Sequence, residues 1–339
     1  MADYKMLFLV GLPRSGTTML EHMLSSHSMI QGGPEPHILT PLAYLGVWDK
    51  VDKAPYDHIL SAEAQKLFVQ QLPNKEKDYW EACRAYCDVL YSRYLQAKGN
   101  KKICLDKTPA YSLVLPFIAK VYPDAKYIIL TRHPIATFSS FANSFFDGNY
   151  KIAQAHNPIL NRYIPVIADF LRKKEVDLFH IKYEDLVKEP EMWFEKICEF
   201  IDVPYEPEAI EYGKMQDEEH KKGLGDPLGV KQHTRPTTSS LKKWVEELSS
   251  DPEKLKMMRE IIERIADEDL EIFGYPKETI WKPLEDAKGI VVRQKKQKLN
   301  RYLLERKAII YLREFARRNK FFRKVLDRIH LACEVLLRE

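Results

Sequence analysis

The stretch Leu7-Phe8-Leu9-Val10-Gly11-Leu12-Pro13-Arg14-Ser15-Gly16-Thr17-Thr18-Met19-Leu20 decides the fold. Its first four residues are apolar and include strand formers, so they predict a buried strand that ends before Gly11. From Gly16 the apolar residues recur at helical spacing, which predicts a helix to about His27. A strand, a tight loop and a helix N-terminus bring free backbone N–H groups and the positive end of a helix dipole to one point. The stretch therefore predicts an anion-binding loop.

The position of the positive charge distinguishes this loop from the commonest type. The spacing Gly11-x4-Gly16 is that of a phosphate-binding P-loop, but a nucleotide triphosphatase carries Lys-Ser/Thr directly after the second glycine. Here Thr17-Thr18 follow, and the cation is Arg14, inside the loop. We predict that the anion is held by five consecutive residues, namely Arg14, Ser15, Gly16, Thr17 and Thr18.

Strand and helix signals alternate through the first 190 residues. Strands are predicted at 102–106, 126–131 and 177–183, with helices between them, and this order is typical of an α/β fold with a P-loop-like parallel sheet flanked by helices. Residues 59–97 show no strand pattern and predict a helical insertion that covers the site. The later signals are helical, at 192–201, 206–212, 239–248 and 252–273. We predict one domain over residues 1–280 and a separate helical tail over 288–339.

Two further cations and a hydroxyl follow predicted strands. Lys107 comes directly after the strand at 102–106, Arg132 follows the strand at 126–131, and Ser140 lies in the helix beyond it. Because the carboxyl ends of parallel strands share one edge of a sheet, we expect these side chains to lie near the loop. Any one of them alone would be read as a solvated charge, but together they predict a site for a polyanion.

These residues carry a resemblance. Pro13-Arg14-Ser15-Gly16-Thr17-Thr18, followed by Arg132-x7-Ser140, resembles the pair of motifs by which sulfotransferases bind 3′-phosphoadenosine 5′-phosphosulfate (PAPS). In that family the loop holds the 5′-phosphosulfate, while the Arg and the Ser hold the 3′-phosphate. An arginine inside the loop is more similar to the tyrosylprotein, heparan-type and bacterial branches than to the cytosolic aryl and steroid enzymes. The resemblance covers about residues 5–270 and implies transfer of a sulfuryl group from PAPS to a hydroxyl.

The same resemblance extends to catalytic candidates. Gly33-Pro34-Glu35 is similar to the Gly-Glu-Glu of tyrosylprotein sulfotransferases, in which the second Glu is the proposed base. It implies that Glu35 takes the proton of the acceptor hydroxyl. Lys107, in Asp106-Lys107-Thr108-Pro109, is similar to their lysine that stabilises the transferring group. His37 is a second candidate for the base or for contact with substrate.

The charge of the transferring group bears on the need for a metal. Sulfuryl transfer resembles phosphoryl transfer, in which positioning and electrostatics supply most of the catalysis. A sulfuryl group carries less charge than a phosphoryl group, so Arg14 and Lys107 can stabilise it, and no metal is predicted. The position after Leu130, where a nucleotide hydrolase would place a Mg²⁺-binding Asp, is occupied by Thr131-Arg132.

At two positions the sequence differs from the motifs of known sulfotransferase branches, and these differences limit the class of acceptor. Pro109 stands where cytosolic small-molecule sulfotransferases place a catalytic His, and Pro34 replaces the first Glu of the tyrosylprotein motif. The tyrosylprotein enzymes are also luminal and disulfide-bonded. We therefore expect a hydroxyl-bearing small molecule, a lipid or a carrier-bound acyl chain, and no nucleic acid. A group of aromatic residues is expected near the acceptor or in the core: Tyr79, Trp80, Tyr86, Phe141, Phe145 and Phe146.

Composition sets the class of protein and its compartment. The chain has 339 residues, 45% hydrophobic and 30% charged, which is typical of a globular protein. Five scattered cysteines predict reduced, buried thiols, and the N-terminus shows no signal-peptide pattern, so a cytoplasmic location is expected.

The net charge of +4 is unevenly distributed, because residues 288–339 carry 16 Lys/Arg against 5 Asp/Glu. A basic amphipathic tail predicts contact with a membrane surface or a partner domain, or packing on a second subunit in a homodimer.

Two other functions stay open. One is a P-loop kinase or nucleotide hydrolase, which the absent P-loop lysine disfavours. The other is a non-catalytic adenine-nucleotide-binding module recruited through the tail.

Overall fold

The computed structural model describes residues 4–33, 35–43, 58–215 and 234–287, together with isolated positions between 311 and 328; the side chains of 58–63, 214 and 215 are not among them. Pro34, the segment 225–227 and most of the basic tail therefore lie outside the described residues. The predicted tail helices and their partners stay predictions.

A parallel sheet of five strands forms the centre of the described chain. Its strands are β1 (Lys5–Val10), β2 (Ile30–Gln31), β3 (Ile103–Asp106), β4 (Lys126–Thr131) and β5 (Asp177–Lys182), in the spatial order β2-β3-β1-β4-β5. All four pairings are parallel, and Phe8 of β1 is in register with Asp106 on one side and Tyr127 on the other. The chain leaves β1 between its two neighbours, at the point where ligands of such sheets bind.

Helices cover both faces of the sheet. The first group is α1 (Thr17–Ser26), α2 (Leu39–Ala43), α3 (His58–Val69), α4 (Glu76–Ala97), α5 (Leu115–Val121), α6 (Pro134–Phe146), α7 (Tyr150–His156) and α8 (Ile159–Lys173). The second group is α9 (Tyr183–Lys188), α10 (Pro190–Ile201), α11 (Lys243–Ser250), α12 (Pro252–Glu263), α13 (Asp267–Ile272) and α14 (Lys282–Glu285). Short 3₁₀ helices occur at Pro109–Val114, Pro207–Ile210 and Tyr212–Met215.

The core is divided by the sheet because successive strand residues point to opposite faces. Met6, Phe8 and Val10 contribute to one cluster, which packs against α4 to α8 and the later helices. Leu7 and Leu9 contribute to a second cluster on the other face, which packs against α1, α9 and α10. The α/β prediction is confirmed, and two helices do occupy 58–97.

Several boundaries differ from the sequence prediction. The helix predicted at 206–212 is two short 3₁₀ helices separated at Glu211, of the kind that occurs in connecting segments. The helix predicted at 252–273 is divided after Glu263, and α13 begins anew with three acidic residues in its first turn, where the helix dipole favours them. The strand β2 and the helices α2, α7, α9 and α14 were not predicted, since each has only two to seven residues.

Candidate functional site

The loop between β1 and α1 has an unusual backbone. Arg14 has a φ of 71° and Gly16 a φ of 97°, so both lie in the left-handed region. The Ser15 N–H donates to the Leu12 carbonyl at 3.1 Å, which closes a tight turn. Gly16 caps α1 without a side-chain hydrogen bond. The first N–H groups of α1 therefore face the space above the loop, as an anion site requires.

Two arginines and a serine converge on one side of this loop. The Arg14 Nε donates to the Ser140 Oγ at 3.4 Å, and the Arg132 Nη1 donates to the Arg14 carbonyl at 3.0 Å. The Ser15 Oγ and the Arg132 Nε are buried and have no hydrogen-bond partner. Because buried polar atoms are normally paired, these two atoms mark a place that fits an anion. The structure thus brings together residues that are 118 and 126 positions apart.

Tyr183, the first residue of α9, supports this cluster. The Arg132 guanidinium lies over the Tyr183 ring at 4.5 Å, within the range of a cation–π contact. The Tyr183 hydroxyl pairs with the Ser240 Oγ at 2.9 Å, which ties the segment before α11 to the site. The strand predicted at 177–183 includes Tyr183, but its contact with Arg132 was not predicted. The ring fixes the plane of the guanidinium, so Tyr183 orients Arg132 without offering a charge.

Gly16→Ala should destabilise the protein more than Gly99→Ala does. Both glycines have a left-handed φ, of 97° and 94°, but a Cβ at Gly16 would lie 2.4 Å from the Tyr183 ring, whereas nothing lies within 4 Å of one at Gly99. We expect Gly99→Ala to lower the free energy of unfolding by about 1 kcal/mol. Gly16→Ala should lower it by a further ~1–3 kcal/mol, because the ring must move. Urea denaturation of both variants measures the difference, and equal losses would contradict the contact with Tyr183.

A second cluster lies on the β3 side of the loop. The Lys107 Nζ donates to the Glu35 Oε1 at 2.7 Å and lies 3.5 Å from the Thr18 Oγ1. The Lys107 side chain is 3% exposed and that of Glu35 is 12% exposed, so this ion pair is largely out of solvent. The His37 Nε2 lies 3.5 Å from the other Glu35 oxygen and is 38% exposed. The Glu35 carboxylate therefore lies between a buried cation and an accessible imidazole.

Asp106, next to Lys107, is a buried carboxylate surrounded by hydroxyl groups. Its Oδ2 accepts from Tyr91 at 2.5 Å and from Tyr111 at 3.1 Å, and its Oδ1 accepts from Thr108 at 3.0 Å. Burial raises the pKa of Asp106 to about 6, while the three hydroxyl groups oppose this rise because they stabilise the charged form. The three hydroxyl donors therefore offset part of the cost of burying the carboxylate.

His133, which follows Arg132, and the aromatic residues expected near the acceptor or in the core have other surroundings. The His133 ring stacks on Trp244 at 4.5 Å, and burial lowers its pKa to about 4, so it is a neutral packing residue. Phe141 and Phe146 are buried in the core, whereas Tyr86 is 54% exposed on α4. Within the described ranges, four cysteines (Cys83, Cys87, Cys104 and Cys198) are buried and free.

Two features are absent from the described residues. Across them, no group of three His, Cys, Asp or Glu side chains is placed to hold a metal ion. No helix in that part of the chain has the length and apolar character needed to cross a membrane.

Comparison with known proteins identifies the family. The sequence model described as "Sulfotransferase family" matches residues 7–207, which is more than half of the chain. The chain belongs to the sulfotransferase family. The matched region of this family member contains both clusters described above, from Arg14 through Lys107 and Ser140, and the membership predicted from those motifs is confirmed.

Two curated relatives are similar over part of their length. The nodulation protein NoeE of Sinorhizobium fredii is 36% identical over 138 residues, which are 41% of this chain and 31% of that protein. A protein-tyrosine sulfotransferase of Drosophila melanogaster is 24% identical over 235 residues, covering 67% of this chain and 42% of that protein. The chain thus matches less than half the length of either relative.

Among solved structures, the sulfotransferase domain from the curacin biosynthetic pathway is 23% identical with a TM-score of 0.48, and the alignment covers 76% of this chain and 98% of that domain.

Proposed function

We propose that this chain transfers a sulfuryl group from PAPS to an acceptor hydroxyl. The observation that carries the proposal is the buried Lys107–Glu35 pair, whose atoms are 2.7 Å apart beside the first turn of α1. Such a pair places a cation and a proton acceptor at the end of the anion-binding loop. The membership of the sulfotransferase family supports the reaction class.

The two anions of PAPS suit the two sides of the loop. We assign the 5′-phosphosulfate to the N–H groups of residues 16–18, with the Ser15 Oγ, which is buried and unpaired, as a further donor. We assign the 3′-phosphate to Arg132 and Ser140, because the Arg132 Nε is buried, unpaired and held in plane by Tyr183. PAPS supplies the sulfuryl group, and 3′,5′-ADP is the leaving group.

The residues around the transferring group have separate roles. Arg14 and Lys107 stabilise the charge that develops on the bridging and peripheral oxygens, which is the electrostatic part of catalysis. A Glu35 oxygen accepts the proton of the attacking hydroxyl, so that the hydroxyl oxygen gains nucleophilic character as the bond to sulfur forms. When the Lys107 ammonium contacts the sulfate of PAPS instead of Glu35, the His37 imidazole, 3.5 Å from Glu35, stays beside the carboxylate.

A nucleotide hydrolase fits this site less well. Asp106 is the carboxylate at the end of a strand next to β1, where such enzymes hold a magnesium ion. Its oxygens already accept three hydroxyl hydrogen bonds, and its nearest charged neighbour along the chain is the cation Lys107. The end of β4 bears Arg132, which would repel a divalent cation.

We further propose a hydroxyl on a small molecule, a lipid or a carrier-bound acyl chain as the acceptor. The free thiols at Cys83, Cys87, Cys104 and Cys198 support a reducing, cytoplasmic compartment. We assign catalysis to residues 1–280 and contact with a membrane surface, a partner domain or a second subunit to the basic tail 288–339.

Binding of 3′,5′-ADP should raise the melting temperature far more than ATP with Mg²⁺ does. A ligand at one hundred times its dissociation constant stabilises the folded state by about 2.7 kcal/mol. Thermal-shift titration with 3′,5′-ADP, 5′-AMP and ATP·Mg²⁺ measures the order of affinities. A larger response to ATP·Mg²⁺ would support the hydrolase or kinase function instead. Binding of 3′,5′-ADP without transfer of labelled sulfate to any acceptor class would support the non-catalytic module.

A further inference from the structure

The loop that carries Glu35 begins with a contact to the half-buried Tyr94 and ends with a contact to the buried Tyr111. At its start, the Tyr94 hydroxyl of α4 donates to the Gly32 carbonyl at 2.8 Å. At its end, the Leu39 N–H donates to the Tyr111 hydroxyl at 3.1 Å. Between them, His37 has a φ of 53°, a left-handed conformation that costs a non-glycine residue ~1–2 kcal/mol. A loop with such strain keeps its shape only where surrounding contacts hold it.

The contact at Tyr111 continues to Asp106. A backbone N–H can only donate, so the Tyr111 oxygen accepts from Leu39 and its own proton points to the Asp106 Oδ2, 3.1 Å away. Tyr111 is 1% exposed and Asp106 is 1% exposed, so water does not compete for either bond. A chain of two buried hydrogen bonds therefore connects the end of β3 to the backbone four residues after Glu35.

The same strand end carries the partner of Glu35. Lys107 follows Asp106 directly, and the Thr108 hydroxyl bonds back to the Asp106 Oδ1 at 3.0 Å, which fixes the backbone on both sides of Lys107. One carboxylate thus holds the Lys107 backbone, directly after β3, through Thr108 and the Glu35 loop through Tyr111.

We propose that Tyr111 is a positioning residue, which transmits the fixed location of the Asp106 carboxylate to the Glu35 loop and so keeps Glu35 opposite Lys107. The effect of Tyr111 on catalysis rests on the proposed function, whereas the hydrogen bonds from Asp106 through Tyr111 to Leu39 do not. The surroundings of Asp106 support the positioning role, because three hydroxyl groups donate to this carboxylate and so fix its position.

Tyr91 offers a matched control. Its hydroxyl also bonds the Asp106 Oδ2, at 2.5 Å, and it is 3% exposed, but it comes from α4 and has no hydrogen bond to the described residues of the Glu35 loop. Tyr91→Phe and Tyr111→Phe therefore remove the same kind of buried hydroxyl from the same carboxylate. Only Tyr111→Phe also removes the acceptor of the Leu39 N–H.

The experiment compares these two variants in the full chain. In nucleotide-free protein, amide hydrogen exchange at Leu39 should be roughly tenfold faster in Tyr111→Phe than in the wild type and unchanged in Tyr91→Phe. With labelled PAPS and the acceptor found by screening, Tyr111→Phe should lower kcat roughly tenfold, with the wild-type affinity for 3′,5′-ADP. Tyr91→Phe should retain most of kcat, although its urea midpoint should fall by as much as that of Tyr111→Phe.

Two outcomes would overturn the proposal: unchanged Leu39 exchange in Tyr111→Phe, or equal kcat losses in both variants, which is what a merely structural role gives. If Tyr111→Phe does not fold, Asp106→Asn replaces it and should raise Leu39 exchange and lower kcat in the same way. A wild type that neither binds 3′,5′-ADP nor transfers sulfate would refute the proposed function, and the exchange measurement would still decide whether Tyr111 holds the loop.

Discussion

Replacing Glu35 by Gln should lower sulfuryl transfer by about 10²- to 10⁴-fold, the usual contribution of a general base. The amide has the shape of the carboxylate and keeps an oxygen for the Lys107 ammonium, which lies 2.7 Å from Glu35 in the wild type. It cannot accept the proton of the acceptor hydroxyl. Because Glu35 lies outside the β1–α1 loop, binding of 3′,5′-ADP should be unchanged. Single-turnover transfer from labelled PAPS and calorimetric titration with 3′,5′-ADP measure the two quantities.

His37→Asn is the control for this variant, since His37 is the other candidate base and lies 3.5 Å from the Glu35 carboxylate. If Glu35 is the base, His37→Asn should lower turnover much less than Glu35→Gln does. The opposite order would assign the proton transfer to His37. Retained turnover in both variants would show that neither Glu35 nor His37 accepts the proton.

The fold was predictable where the residue pattern is local. Continuous apolar runs gave β1 and β4, and the glycines of the first loop gave the turn into α1. By contrast, β2 has two residues and forms a strand because Ile30 and Gln31 pair with β3. Such an element depends on a neighbour that is more than 70 residues away in the sequence, so no local pattern indicates it.

The convergence of Arg14, Lys107 and Arg132 was also predictable, because cations at the ends of parallel strands meet at one edge, whereas Glu35 was indicated only by the family resemblance. Arg14, Arg132 and Ser140 form one cluster, and Lys107 with Glu35 forms the other. The neutral supports were not predictable. The role of Tyr183 follows from the position of its ring under the Arg132 guanidinium, which no local pattern indicates.

Tyr111 is a similar case. Its hydroxyl is useful only because Asp106 and Leu39 lie on either side of it, and Leu39 is 72 residues distant in the sequence. Charge is visible in a sequence, whereas the orientation of a hydroxyl follows from tertiary packing.

Arg132→Met should remove the preference for 3′,5′-ADP over 5′-AMP. These ligands differ only in the 3′-phosphate, which we assign to Arg132 and Ser140. Loss of one partner of a buried charge pair costs about 2–4 kcal/mol, so the affinity for 3′,5′-ADP should fall roughly 30- to 1,000-fold. The affinity for 5′-AMP should be retained, because its phosphate binds at the loop. Calorimetric titration of both ligands measures the ratio of their affinities. A general loss of folded protein affects both titrations equally and so leaves this ratio unchanged.

Arg172→Met is the matched control, because it removes the same charge from α8, where Arg172 pairs with Asp269 at 2.9 Å. It should leave both affinities near the wild-type values, since exposed charges act weakly over distance in salt. Equal losses for both ligands in Arg132→Met would contradict direct contact with the 3′-phosphate. Arg132 would then act through its 3.0 Å hydrogen bond to the Arg14 carbonyl, as a support for the loop backbone and not as a reader of the second phosphate.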